Sequence, residues 1–200
     1  MATIQNEMFP PLARSFYERS TVRVARELLG KYLVRRTATG LIETRIVEVE
    51  AYVGPQDKAC HASKGRTKRT EVMFGPAGFT YVYLIYGMYH CLNLVTEQID
   101  YPAAVLIRGL EITDGETTSV RVEGPGRVCR FLNVDRTHNE LDATKGESLW
   151  VEDRGFSISL KHIQALPRIG VDYAGEWAKK PWRFFLPAPS SVRKRRPSVY

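Results

Sequence analysis

From Leu41 to Val53 the chain is rich in Ile, Val and Thr, and it alternates with a period of two rather than the 3.6 of a helix. Val47, Val49, Ala51 and Val53 fall on one face of such a strand, and Ile46, Glu48, Glu50 and Tyr52 on the other. A second β run, Tyr32 to Arg36, precedes it across a turn at Thr39-Gly40, so the two predict a hairpin. Further strands are expected within Phe79 to Val95, split by a turn near Gly87, and at Ala103 to Leu110, Leu149 to Glu152, Phe156 to Leu160 and Trp182 to Leu186. No regular helical crossovers separate these runs, which excludes a parallel sheet and leaves an α+β domain on an antiparallel one.

Helices are few. Leu12 to Glu18 suits a short one. Ser20 is a candidate N-cap for a helix whose stripe is Val22, Ala25, Leu28 and Leu29, with Gly30 closing it; another starts at Gly124-Pro125 and runs through Val128, Phe131 and Leu132. Two hundred residues make one domain with a single core. A net charge of +7, part of it in the tail Arg193 to Arg196, favours a polyanionic partner such as nucleic acid.

Three cysteines, Cys60, Cys91 and Cys129, form no disulfide framework and fit a reducing compartment. Met1 to Pro10 has no apolar run of signal-peptide length, and no stretch approaches the roughly 18 residues of a membrane span. The expectation is a soluble intracellular protein without membrane association.

Chemistry narrows by elimination. Cys60-His61 and His90-Cys91 could supply four metal ligands, but neighbours on a strand point to opposite faces and structural zinc sites space paired ligands by about two to four residues. No metal is expected. Phosphate-loop, dinucleotide and nucleophile-elbow motifs are absent too, so no cofactor is expected. Carboxylate acid/base chemistry remains, with Glu48 and Glu50 sharing a strand face just before Gly54-Pro55 and the basic loop Gln56 to Arg69. Tyr81, Tyr83, Tyr86 and Tyr89 crowd one hairpin; Tyr86, beside Gly87, is the one placed at an exposed turn. An exposed aromatic on a basic protein suits insertion between base pairs, and aromatics beside a carboxylate suit stacking on an extruded base.

The segments Val47 to Pro55 with Asp57 and His61, and Tyr81 to Tyr89 with Asn93, closely resemble the alkyladenine (3-methyladenine) DNA glycosylase family. So do Ala25 to Gly30, Val105 to Arg108, Gly124-Pro125-Gly126, and Arg168 to Val171 leading to Gly175 to Ala178, in unbroken order over about residues 12 to 187. The resemblance implies a curved antiparallel sheet with flanking helices and a protruding hairpin that enters DNA. Residues 1–11 and 188–200 become accessory termini. It implies Glu50 as the base that activates water, ionised at pH 7 without a large shift from about 4.3, with Arg108 helping to hold that water and the Ile169 carbonyl contacting it. Tyr52, His61 and Tyr83 match the base pocket, and Asn93 a residue that clashes with the amine of normal guanine. Tyr86 matches the wedge, with Met88 beside it, while Arg66, Lys68 and Arg69 are candidates for phosphate contacts.

The implied activity is monofunctional: alkylated or deaminated purines are flipped out of double-stranded DNA and hydrolysed off by a monomer, leaving an abasic site. The preferred lesion stays open among 3-methyladenine, 7-methylguanine, hypoxanthine and ethenoadenine. Two rivals are a non-catalytic nucleic-acid-binding module, against which Glu50 and Arg108 argue, and a hydrolase of free nucleosides, which has no use for an exposed Tyr86.

Overall fold

In the computed structural model, which describes residues 9–113, 119–156 and 158–188, the chain folds around one antiparallel sheet with short helices packed against it. The lead from Met1 to Met8 and the tail after Pro187 from residue 189 onward, including Arg193 to Arg196, lie outside the described residues.

Two helices come first, α1 (Arg14–Tyr17) and α2 (Thr21–Leu28). The spacing of Thr21, Val24, Ala25 and Leu28 puts all four on the buried face of α2. Val22, placed on that stripe from the sequence, is only partly buried. Gly30 reverses the chain at φ 85°, as expected. Ser20 precedes the helix, but its side chain does not cap it. The carboxylate of Glu97 does so instead, accepting from the Thr21 amide at 2.7 Å and the Thr21 hydroxyl at 2.8 Å. A cap delivered from a segment remote in sequence leaves no local signature.

The strands are β1 (Tyr32–Thr37), β2 (Gly40–Tyr52), β3 (Thr80–Ile85), β4 (Tyr89–Val95), β5 (Ala104–Thr113), β6 (Ser119–Glu123), β7 (Leu149–Glu152), β8 (Gln164–Leu166) and β9 (Arg183–Phe185). Helix α3 (Pro125–Phe131) follows β6. The main path runs β3-β4-β5-β2-β1-β7. Strand β2 gives one edge to β5 and shares the other between β1, up to Arg45, and β9, from Glu48. Strand β5 likewise passes from β4, up to Leu106, to β6, from Gly109. Both central strands thus change partner at mid-length, so the sheet branches on either side of them.

The two faces of the sheet carry different clusters. Val47, Val49 and Ala51 of β2 join Val82, Leu92, Leu94, Val105 and Ile107 in the main core under α2, α3 and Phe184. The other face holds a smaller cluster of Cys60, Met73, Tyr81 and Ala104, against which Tyr52 and Tyr83 pack. The alternation along β2 is as expected from Val47 onward. A bulge interrupts it before that, with Ile46 opposite Leu110, Glu48 opposite Gly109 and Val49 opposite Ile107. Consecutive Ile46 and Val47 therefore both reach the main core, which period two forbids.

The strand expected over Phe156 to Leu160 does not form among its described residues. Phe156 and Leu160 are exposed, and Leu160 opens a 3-10 turn. Ile158 alone packs on the core, filling space left by Gly30, where a Cβ would lie 2.7 Å from its Cγ1. Apolar content in this segment thus reports one anchor rather than a ladder. Strands β6 and β8 were not expected. Neither buries a residue, so neither carries the apolar alternation by which a strand is recognised.

Candidate active site

A row of paired residues crosses four strands on the face away from the main core: Tyr81 opposite Asn93, Asn93 opposite Leu106, and Leu106 opposite Glu50. Beside it run Tyr83 opposite Cys91 and Tyr52 opposite Ala104. Side chains on one face of neighbouring strands stand about 5 Å apart, so this register alone assembles the floor of a site. Above it lies a cavity of about 240 Å³, lined by Tyr52, His61, Tyr83 and Asn93 together with Arg108, Ile169 and Tyr173.

Glu50 is fully buried behind Tyr52, Arg108 and Ile169, which line this cavity. Its carboxylate accepts from the Tyr52 hydroxyl at 2.8 Å and from the Ile169 amide at 2.9 Å, and the Arg108 Nε stands 3.5 Å away. Burial pushes its pKa up from the ordinary range, while Arg108, the Ile169 amide and the Tyr52 hydroxyl pull it back down. The net direction is upward, because the lost hydration outweighs those three contacts. Arg108 stands where β5 exchanges β4 for β6, and its Nε also donates to Glu48 at 3.3 Å.

His61 sits on the 3-10 turn His61–Lys64, edge-on to Tyr83 at 4.6 Å between ring centroids, with Nδ1 3.0 Å from the Tyr81 hydroxyl. Burial, then the charges of Arg69 and Lys64, lower its pKa to about 4, so the imidazole is neutral at pH 7. An unfolded His binds a proton below about 6.5, whereas the folded one does not until about pH 4. Stability is therefore lost as pH falls between these values, amounting to about 2 kcal/mol by pH 5. Urea unfolding at pH 7 and pH 5 should show a smaller acid loss in His61→Gln than in the wild type.

Asn93 is buried and donates its amide to the carbonyls of Tyr81 and Cys91, at 2.9 and 3.4 Å, which fixes it in the floor. Tyr86 and Met88 stand on the tip of the β3–β4 hairpin, 83% and 69% exposed, with Tyr86 also reaching the cavity wall. Arg66 is held by Glu71 and Asp100 on the surface. Lys68 is exposed, and Arg69 lies over the Tyr83 ring at 4.9 Å. Of the three loop cations, Arg69 is the one the fold brings to the pocket.

Several residues of the site carried no role in the sequence reading. Arg168 is buried with its two terminal guanidinium nitrogens on Asp57, at 2.5 and 2.8 Å; it also donates to the carbonyls of Ala51 and Trp177 and lies over the Tyr52 ring at 4.7 Å. It thereby fixes the segment that presents the Ile169 amide to Glu50. Arg183 donates to Glu48, which also accepts from Arg108, and the Tyr81 hydroxyl meets His61. The available signal was an Arg following a proline in Leu166-Pro167-Arg168, too slight to assign to a buried ion pair.

Residues 15–190 match the family model described as methylpurine-DNA glycosylase. A protein of Methanocella arvoryzae named "Putative 3-methyladenine DNA glycosylase" is 52% identical over 199 residues, covering 94% of this chain and 98% of that protein. Proteins of the same name from Anaeromyxobacter sp. and Legionella pneumophila (strain Lens) are 49% and 51% identical over 92% and 88% of the chain. With a family match running nearly end to end and relatives about half identical over most of its length, this chain belongs to the methylpurine-DNA glycosylase family.

Proposed function

We propose that this protein hydrolyses the N-glycosidic bond of alkylated or deaminated purines in double-stranded DNA, acting as a monomer and leaving an abasic site. The observation that carries this reading is the fully buried Glu50, oriented by hydrogen bonds from Tyr52 and Ile169, two residues that line an aromatic cavity. A water beside Glu50 attacks C1′ of the extruded nucleotide as the bond to the purine breaks. The bonding pair leaves with the base, and the water's proton passes to the carboxylate. Negative charge at Glu50 also stabilises the oxocarbenium-like sugar, while Arg108 and the Ile169 carbonyl hold the water.

The base stacks between Tyr52 on one side and Tyr83 with His61 on the other. Electron-poor alkylated rings suit such π faces. Neutral His61 offers a hydrogen bond to the base through Nε2, since Nδ1 already faces Tyr81. Asn93, fixed in the floor, excludes the exocyclic amine of guanine by clash. Lys68 and Arg69, with Arg66, meet the phosphates, which makes binding strongly salt dependent.

Tyr86 is the residue placed in the gap left by the flipped nucleotide. Supporting this, Tyr86 and Gly87 occupy the centre of a tight turn with φ of 53° and 66°, closed by the Met88 amide on the Ile85 carbonyl at 3.2 Å. Asn-Gly is the favoured pair for such a turn, and Tyr in the left-handed region costs about 1 kcal/mol. A bulky ring kept there, 83% exposed, stabilises nothing within the protein. Tyr86→Asn should therefore raise unfolding stability by about 0.5–1 kcal/mol. The same variant should slow base release from lesion-bearing duplex about tenfold or more while nearly sparing single strands, where no stacked gap needs filling. Equal loss on both substrates would remove Tyr86 from the wedge role.

A further inference from the structure

Glu48 is the carboxylate the mechanism leaves unused, yet three features of the fold are arranged around it. The β2 bulge falls between Ile46 and Val49 and sets Glu48 opposite Gly109. Gly109 leaves room that no other residue would: a Cβ there would lie 2.8 Å from the Glu48 Cβ. Arg183 of β9 then donates to Glu48 Oε1 at 3.0 Å, the same oxygen that accepts from Arg108 at 3.3 Å. Arg108 thus stands between two carboxylates, hydrogen-bonded to Glu48 and 3.5 Å from Glu50.

We propose that Glu48 is a positioning residue for the hydrolysis, sharing Arg108 with Glu50 and so keeping the guanidinium from closing onto the base that must accept the water's proton. The inference rests on the reading of Glu50 as that base. A chain of alternating charge, Arg183, Glu48, Arg108, Glu50, runs across three strands, so each member's hold on its neighbour depends on the next. The remaining groups facing Glu50 are Tyr52 on its own strand, Cys91 of β4, and Arg168 paired with Asp57. None of these lies in the chain.

The arrangement makes two opposite expectations. In Glu48→Gln the like charge disappears and Arg108 turns wholly to Glu50, so Glu50 loses its proton at lower pH and becomes a weaker base. In Arg183→Met, Glu48 loses its other cation and draws Arg108 away, so Glu50 holds its proton to higher pH. Each displacement should be about one pH unit, the scale of one opposite charge gained or lost at this range.

The experiment is a carbon-13 NMR titration of the Glu50 carboxyl in wild type, Glu48→Gln and Arg183→Met, beside the pH dependence of single-turnover hypoxanthine release. Downward displacement of both the titration and the acid limb in Glu48→Gln, with upward displacement in Arg183→Met, is the expected result. Shifts of the same sign in both variants, or none, would overturn the sharing, because damage to folding lowers the active fraction without moving a limb in opposite directions. Absence of release by the wild type from hypoxanthine and 3-methyladenine duplexes alike would instead overturn the assignment of Glu50 as the base, whatever the titrations read.

Discussion

Glu50→Gln should lower single-turnover base release at pH 7 by about 10²- to 10⁴-fold, the usual worth of a positioned general base. Gln keeps the shape: its one carbonyl oxygen can still accept from the Ile169 amide, while its NH2 donates to the Tyr52 hydroxyl oxygen, so both contacts that orient the side chain can persist. What it lacks is a site for the water's proton and a charge facing the developing cation at C1′. Loss should therefore appear in the chemical step, with the affinity for lesion-bearing duplex changed by only a few fold. Wild-type activity should also fall as pH drops through the Glu50 pKa, and burial places that midpoint above the value of an ordinary Glu. Equilibrium binding by fluorescence anisotropy, run beside single-turnover release, separates the two effects.

The largest effect on stability is expected at Arg168. Arg168→Met leaves Asp57 fully buried beside the Val53 and Ala59 amides but without its cation. Removing one member of a buried pair costs about 3–5 kcal/mol, because the remaining charge keeps its desolvation penalty and loses its compensation. That is a large share of the roughly 5–15 kcal/mol by which domains of this size are stable. Arg168→Met combined with Asp57→Leu should cost less than the sum of the single changes, since no charge is then stranded. Urea unfolding of the three variants measures this directly. Conditions under which Arg168→Met is still folded should reveal slowed base release as well, because the Ile169 amide is no longer held over Glu50.

The sequence made legible what depends on local periodicity. Alternation along β2 put Val47, Val49 and Ala51 in the core and Glu50 with Tyr52 on the opposite face, and the Tyr86-Gly87 turn was visible in composition. The resemblance supplied names for roles that spacing could not, including His61, which meets Tyr83 from a 3-10 turn, and Asn93, which joins the floor through the pairing of β4 with β3 and β5. Features set by partners distant in sequence stayed hidden. The Glu97 cap on α2, the Arg168–Asp57 pair and the β2 bulge each join segments whose own residues look ordinary. The burial of Glu50 belongs here too: a Glu beside another Glu on a strand reads as solvated, and only the loop carrying Ile169 makes it dry. Phe156 to Leu160 failed in the reverse sense, since apolar residues there anchor through Ile158 alone.

The most direct test of the whole reading is to incubate the wild-type protein with duplexes bearing a single hypoxanthine or 3-methyladenine in oxygen-18 water. The expected result is free base, an abasic strand whose C1′ hydroxyl carries the label, and no strand cleavage. Tight binding to both duplexes with no base released from either would contradict it and identify instead a lesion-binding protein that does not cut.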